Sequence, residues 1–60
     1  MIQKAKFKAG DELEDTRFAP YEGEVVFIID EDYLIVGDEI VTDFDVQFYK
    51  GIFEIIETVY

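Results

Sequence analysis

The sequence predicts an all-β fold: a small five-stranded antiparallel barrel or sandwich in which residues 1–60 form a single acidic domain. Polar and apolar residues alternate with a period of two along much of the chain, as they do in half-buried strands. Turn-forming residues recur about every 8–14 residues, which is typical of small barrels and sandwiches. Half of the residues are hydrophobic, so we expect the chain to fold despite its high charge.

The first part of the chain predicts one strand and a long connection. Lysines alternate with apolar residues in Lys4–Lys8, which indicates a short strand with one solvent-exposed face. Gly10 and Asp11 mark a turn. The following segment, Asp11–Glu22, is polar and contains Pro20, which interrupts a continuous helix, so an irregular loop is expected. One helical turn near Asp11–Asp15 is an open alternative within this loop.

The remaining strands follow from β-branched and aromatic runs between turns. Glu24–Ile29 and Tyr33–Val36 are predicted to form a hairpin across the acidic connection Asp30–Asp32. Two weaker strands are predicted next, Glu39–Val41 and Phe44–Tyr49. The last predicted strand, Ile52–Tyr60, is apolar at both parities, so it is either covered on both faces or paired with another chain.

Four segments together resemble the SH3-like small barrels, whose members often begin with F-x-x-G-D, continue with G-x-V-V and Y-L-V strands, and end on a short apolar strand. They are Phe7-Lys8-Ala9-Gly10-Asp11, Gly23-Glu24-Val25-Val26, Tyr33-Leu34-Ile35-Val36 and Phe53-Glu54-Ile55-Ile56-Glu57. The resemblance implies the fold alone. The chain lacks the tryptophan and aromatic cluster with which that family's peptide-binding branch grips proline-rich ligands. It also lacks the basic loops of the nucleic-acid-binding branch.

Composition excludes several kinds of chemistry. There is no cysteine, histidine or serine, so disulfides, thiolate metal sites, serine or cysteine nucleophiles and imidazole bases are impossible. Paired carboxylates could in principle hydrolyse a bond or bind calcium, but the calcium-loop spacing is missing and a chain this short can hardly form a deep cleft. We therefore expect no enzymatic activity, no metal site and no cofactor.

The negative charge lies in the later part of the chain. Fifteen acidic residues stand against five basic ones, for a net charge of −10. Residues 1–17 contain equal numbers of acidic and basic side chains, so residues 18–60 carry the whole excess of negative charge. Duplex DNA carries one negative charge per roughly 1.7 Å, so ten charges correspond to about 17 Å of duplex, the span of one small barrel.

The densest acids and the aromatics beside them form the predicted partner-binding site. Its members are Asp30, Glu31, Asp32, Asp38, Glu39, Asp43, Phe44, Asp45 and Tyr49. The aromatic rings could instead serve the core: Phe7, Phe27 and Phe53 are expected there, and Tyr21, Phe44 and Tyr49 are open to either role. Acidic turns are also ordinarily solvated loops, so solubility is the alternative role for these carboxylates.

Two functions compete at this level. The first is a non-enzymatic inhibitor that presents a DNA-mimicking surface to the basic groove of a nucleic-acid-binding protein, similar in size and charge to small acidic phage proteins that act against host machinery. The alternative is an SH3-like assembly module that forms a homodimer through Ile52–Tyr60 and is acidic only for solubility. A domain with no evolved partner is a third alternative.

Nucleic acids and membranes are not expected partners. The only basic stripe is Lys4, Lys6 and Lys8, and a body of charge −10 repels phosphates. The longest apolar run, Val25–Ile29, is far shorter than the roughly 20 residues that cross a bilayer. The sequence therefore predicts a cytoplasmic protein, in the host cytoplasm if a phage encodes it.

Overall fold

The computed structural model describes residues Met1–Tyr60 and confirms an all-β fold of five antiparallel strands in one sheet. The strands are β1 (Ile2–Phe7), β2 (Val25–Ile29), β3 (Tyr33–Val36), β4 (Glu39–Val41) and β5 (Phe53–Thr58). Their order across the sheet is β4-β3-β2-β1-β5, and every neighbouring pair is antiparallel. Consequently, β4 and β5 are the two edges of the sheet.

The two faces of the sheet differ because successive side chains point to opposite sides of a strand. On one face, Ala5 lies beside Val26, and Ile28 beside Leu34, in the cross-strand register. These side chains belong to a core of eleven buried hydrophobic residues that contains no buried polar residue. The core comprises Ala5, Phe7, Leu13, Val26, Ile28, Leu34, Val41, Phe44, Val46, Ile52 and Phe53.

Two long connections cover the core face. The loop between β1 and β2 contributes Leu13, and the segment between β4 and β5 contributes Phe44, Val46 and Ile52. The ring of Phe7 is fully buried among other rings. It makes edge-on contacts at centroid distances of 5.5 to 5.9 Å, a favoured aromatic geometry, with Phe53, Phe44 and Tyr21. The interior is therefore built between the sheet and the two connections.

The prediction that Phe27 belongs to the core is wrong. Phe27 has the same parity as Val25 and Ile29, whereas Val26 and Ile28 point to the core. Phe27 is therefore half-buried on the outer face. The other two rings expected inside, Phe7 and Phe53, are buried as predicted.

The predicted strand at Phe44–Tyr49 is also wrong, because this segment folds into turns. The carboxylate of Asp45 accepts a hydrogen bond of 3.0 Å from the backbone N–H of Phe48. The N–H of Tyr49 donates to the carbonyl of Asp45 at 3.1 Å. These two bonds curl the chain, and a 3₁₀ turn at Lys50–Ile52 then leads directly into β5.

The predicted loop Asp11–Glu22 contains no strand. It consists of successive turns with hydrogen bonds three residues apart, such as that from the Thr16 N–H to the Leu13 carbonyl at 3.1 Å. Pro20 lies in a 3₁₀ turn, Ala19–Tyr21, where its missing N–H costs no hydrogen bond. Both helical segments have three residues, and no helix is long and apolar enough to span a bilayer.

Candidate acidic interface

The connection between β2 and β3 projects three carboxylates in a constrained turn. Asp30 and Glu31 have φ angles of 52° and 60°, a left-handed conformation that costs side-chain-bearing residues roughly 1–2 kcal/mol each. The turn is held by the N–H of Asp32, which donates to the carbonyl of Ile29 at 2.9 Å. All three acidic residues are exposed. The strand pairing thus fixes an acidic tip on the hairpin.

Asp45 lies close to this tip. An open depression of about 490 Å³ is lined by Glu31, Asp32 and Asp45 together with Phe44, Val46, Gln47 and Phe48. The sheet supplies the first two carboxylates and the β4–β5 connection supplies the third. We call Asp30, Glu31, Asp32 and Asp45 the hairpin pole.

Asp38 and Glu39 lie at the other end of β3. They follow Gly37, whose φ of 63° allows the tight turn into β4. In the register of the sheet Val26 faces Val36, which places Glu24 next to this turn. Glu22 lies on the same side, since the Gly23 N–H donates to the Phe7 carbonyl at the end of β1. We call the acidic cluster Glu22, Glu24, Asp38, Glu39 and Asp43 the turn pole.

Asp43 is linked to the rest of the turn pole by its ion pair with Arg17. Its carboxylate accepts a hydrogen bond from the guanidinium of Arg17, which lowers the pKa of Asp43 and raises the pKa of Arg17. The Arg17 guanidinium also lies 4.6 Å from the centre of the Phe18 ring. The hydroxyl of Tyr21 donates to the Glu39 carboxylate at 3.3 Å, and burial, followed by the charge of Glu39, raises the pKa of Tyr21.

The structure separates the predicted site into these two poles. β3 is four residues long, so about 13 Å of strand lies between the acidic turns at its two ends. Asp30 and Asp43 have cationic partners, the Met1 amino group and Arg17. The other five predicted acids form no salt bridge: Glu31, Asp32, Asp38, Glu39 and Asp45.

Neither of the two aromatic residues predicted to bind a partner, Phe44 and Tyr49, is fully exposed. Phe44 is only 3% exposed and packs 4.9 Å from the Phe18 ring, so its ring is not available to a partner. Tyr49 is half-buried and lies 5.2 Å from Phe44. The exposed ring at this place is Phe48, at 75%. A strand would place Phe44 and Phe48 on one face, and the turn at Asp45 separates them.

Most of the acids have no cationic partner. Only Asp30, Asp43 and Glu54 of the fifteen acidic residues form salt bridges, which leaves twelve without one. Glu22 and Glu24 are acids of the turn pole that the sequence-based prediction missed. The available signal was their position around Gly23, immediately before the clearest strand. In an antiparallel hairpin, the start of the first strand and the end of the second strand lie at the same end.

Both poles present exposed negative charge to solvent. No group of three or more acidic side chains lies close enough together to hold a metal ion. No protein-family model, curated protein or solved structure matches the chain. Charge and geometry are thus the basis for assigning a function.

Proposed function

We propose that the chain is a non-enzymatic inhibitor that binds the basic surface of a nucleic-acid-binding protein in place of DNA. The observation that carries this proposal is that seven of the twelve carboxylates without a cationic partner lie at the hairpin pole or the turn pole, at the two ends of a small sheet. The proposal extends to a phage origin and action in the host cytoplasm, by the similarity in size and charge to small acidic phage proteins.

The separation of the poles supports the comparison with a duplex. Asp32 and Asp38 are six residues apart along β3 and its turns, which corresponds to about 20 Å of extended chain. Duplex DNA carries about twelve negative charges over that length. The two poles present seven carboxylates without a cationic partner, and each could accept a charge-assisted hydrogen bond from a groove lined with Lys and Arg for phosphates.

The remaining parts of the mechanism are steering and exclusion. A net charge of −10 attracts a basic groove over about a Debye length, 8–10 Å at physiological salt, and so accelerates encounter. Phe48, next to the hairpin pole, offers an exposed ring of the kind that anchors interfaces inside a polar rim. Once bound, the protein occupies the track on which the target holds nucleic acid.

Affinity capture with charge-matched variants tests the proposal. The immobilised chain should retain nucleic-acid-binding proteins from a cell lysate, release them as NaCl is raised, and release them to added duplex DNA. Glu31→Gln with Asp32→Asn should weaken binding to a retained protein about tenfold, since two exposed ion pairs of up to ~1 kcal/mol each are lost.

The matched control is Glu12→Gln with Glu14→Gln, which removes the same number of charges from the β1–β2 loop, outside either pole. It should leave the affinity within about twofold of the unmodified chain. Equal losses for both variants would mean non-specific ion exchange. Retained proteins that resist both salt and duplex DNA would contradict the proposal as well.

The alternative proposal is an SH3-like assembly module that pairs with a second copy through Ile52–Tyr60. It is favoured by one observation: β5 is an edge strand, and its Ile56 side chain is 52% exposed. In this case acidity serves solubility alone. Neutralising Glu31 and Asp32 would then leave binding to the assembly partner nearly intact, which separates the two functions.

A further inference from the structure

The face of the sheet opposite the core is itself apolar over three strands. In the register of the sheet, Ile40 of β4 faces Ile35 of β3, which faces Phe27 of β2. The apolar side chains with this outward parity are Ile2, Val25, Phe27, Ile29, Tyr33, Ile35 and Ile40. None of them belongs to the buried core or to the half-buried side chains packed against it. We call this set the outer patch.

The outer patch is open to solvent. Ile40 is 62% exposed and Val25 is 43% exposed, and the five side chains between and beside them are half-buried. The buried residues of both long connections, Leu13, Phe44, Val46 and Ile52, belong to the core on the opposite face. An apolar field of this kind on a small protein marks an interaction surface.

The rest of the outer face carries balanced charge. Lys6 of β1 pairs in register with Glu54 of β5, and Lys4 pairs with Glu57. These four side chains sum to zero, although the whole chain carries −10. On this part of the outer face another strongly acidic molecule therefore meets no net repulsion at contact. That is a requirement for pairing with a second copy.

We propose that two copies of the chain pack outer patch against outer patch, with the two-fold axis running along β3. In a two-fold interface each contact occurs twice, so Ile35 meets the partner's Ile35 and Ile40 meets the partner's Phe27. The two sheets would lie about 10 Å apart, as in a β-sandwich. Apolar side chains then face apolar side chains at the centre of the patch, where Tyr33 also meets the partner's Tyr33.

The same arrangement brings opposite charges together. Lys4 lies on β1, two strand spacings or about 10 Å from β3. Across the two-fold axis this position falls one spacing, about 5 Å, outside the partner's β4, near the turn that carries the partner's Asp38. The lysines of β1 thus extend beyond the apolar contact toward the acidic edge of the second copy, so this surface is complementary to itself.

The size of the patch indicates a weak dimer. It covers three strand spacings, about 14 Å, and the five residues of β2, about 13 Å along the strand. The projected area is about 180 Å² per copy, smaller than a standard specific interface, which places the dimer among weak, transient contacts. We therefore expect a dissociation constant on the order of micromolar, with monomers at high dilution.

Sedimentation equilibrium with two matched variants tests the proposal. The average mass should rise from 7.0 kDa toward twice that value as concentration increases through the micromolar range. Ile40→Lys should weaken dimerisation at least tenfold. Ile56→Lys, the same replacement at a similarly exposed position of β5, should leave it unchanged. Both side chains are outside the core, so both variants should fold.

Dilution followed by amide NMR locates the contact without any substitution. Shifts that depend on concentration should centre on Phe27, Ile35 and Ile40. A mass of 7.0 kDa at every concentration up to millimolar would overturn the proposal, as would a dimer that is disrupted by Ile56→Lys and not by Ile40→Lys. The apolar contact contains no residue of either acidic pole, and Ile40→Lys leaves every carboxylate in place, so these measurements test the dimer separately from DNA mimicry.

Discussion

Asp43 and Arg17 are 26 residues apart in the chain and form one of the few ion pairs of this protein. The hydrogen bond from Arg17 lowers the pKa of Asp43 below its ordinary value. A carboxyl group whose pKa is lower in the folded state stabilises the fold fully above its unfolded pKa, about 3.9, and this contribution is lost as pH falls through the folded pKa. Both side chains are exposed, so solvent screening keeps the effect small.

The pair makes a prediction about acid stability. The difference in free energy of unfolding between the unmodified chain and Asp43→Asn should stay constant between pH 7 and about pH 5, and should shrink below about pH 4. Urea unfolding at a series of pH values measures it. Arg17→Gln removes the same contact and should give the same pH dependence. A difference that persists unchanged to pH 2.5 would mean that the ion pair does not stabilise the fold.

At the scale of elements, the hairpin turn retains a conformation that its residues disfavour. Asp30 and Glu31 occupy the left-handed region, which glycine adopts without the steric cost of a side chain. The β2–β3 register requires this turn, since Ile29 faces Tyr33 and leaves only three residues for the connection. Strained residues often occur at functional sites, and here they point carboxylates away from the sheet.

Glycine at this turn should therefore stabilise the protein. We expect Glu31→Gly to raise the free energy of unfolding by about 1 kcal/mol relative to Glu31→Gln, because both remove the charge and only glycine relieves the left-handed conformation. Urea unfolding of the two variants gives the comparison. Equal stabilities would show that the turn is not strained. Capture of a target protein should fall by a similar factor in both, because both lack the carboxylate.

The strands were predictable where pattern and turn agree. Tyr33–Val36 and Glu39–Val41 have the predicted bounds, because the Gly37 turn and the alternation fix them locally. Phe44–Tyr49 was not predictable, since one side-chain hydrogen bond from the Phe48 N–H to Asp45 turns an alternating segment into a curl. For the same reason Phe44 could not be recognised as buried and Phe48 as exposed from their spacing alone.

The sequence was sufficient to predict which acidic residues stand in turns. It was not sufficient to predict how these residues are arranged on the surface. The acids at Asp30–Asp32 and at Asp38 stand in turns, as their sequence context indicates. Strand direction alone predicts that these two acidic turns lie at opposite ends of β3. It does not predict which other side chains lie beside each turn. Pairing of Arg17 with Asp43, and the position of Glu24 beside the Gly37 turn, depend on contacts between distant parts of the chain.

At the scale of the whole molecule, charge opposes the fold. Ten excess negative charges lie within extents of 32 × 21 × 20 Å, and twelve carboxylates have no cationic partner. At 0.01 M salt the Debye length is about 30 Å, so charges repel across the entire molecule, and at 1 M it is about 3 Å. Self-repulsion of this kind destabilises the compact state.

The melting temperature should consequently rise with NaCl. Each kcal/mol of repulsion that salt screens should raise it by about 4–8 °C in a domain of this size. Thermal unfolding by circular dichroism between 10 mM and 1 M NaCl, at low micromolar protein to limit self-association, measures the effect. The Glu12→Gln with Glu14→Gln variant has less charge and should show a smaller rise. A melting temperature independent of salt would contradict strong self-repulsion.

The interior has a consequence for how this protein can vary. Eleven hydrocarbon side chains fill it, and no polar group inside needs a particular partner. Interiors of this kind accept other apolar combinations of equal total volume, with modest losses in stability. Proteins of the same shape can therefore diverge at nearly every inward position. If the hairpin pole and the turn pole bind the partner, selection must preserve the positions of the turns and the negative charge of their side chains.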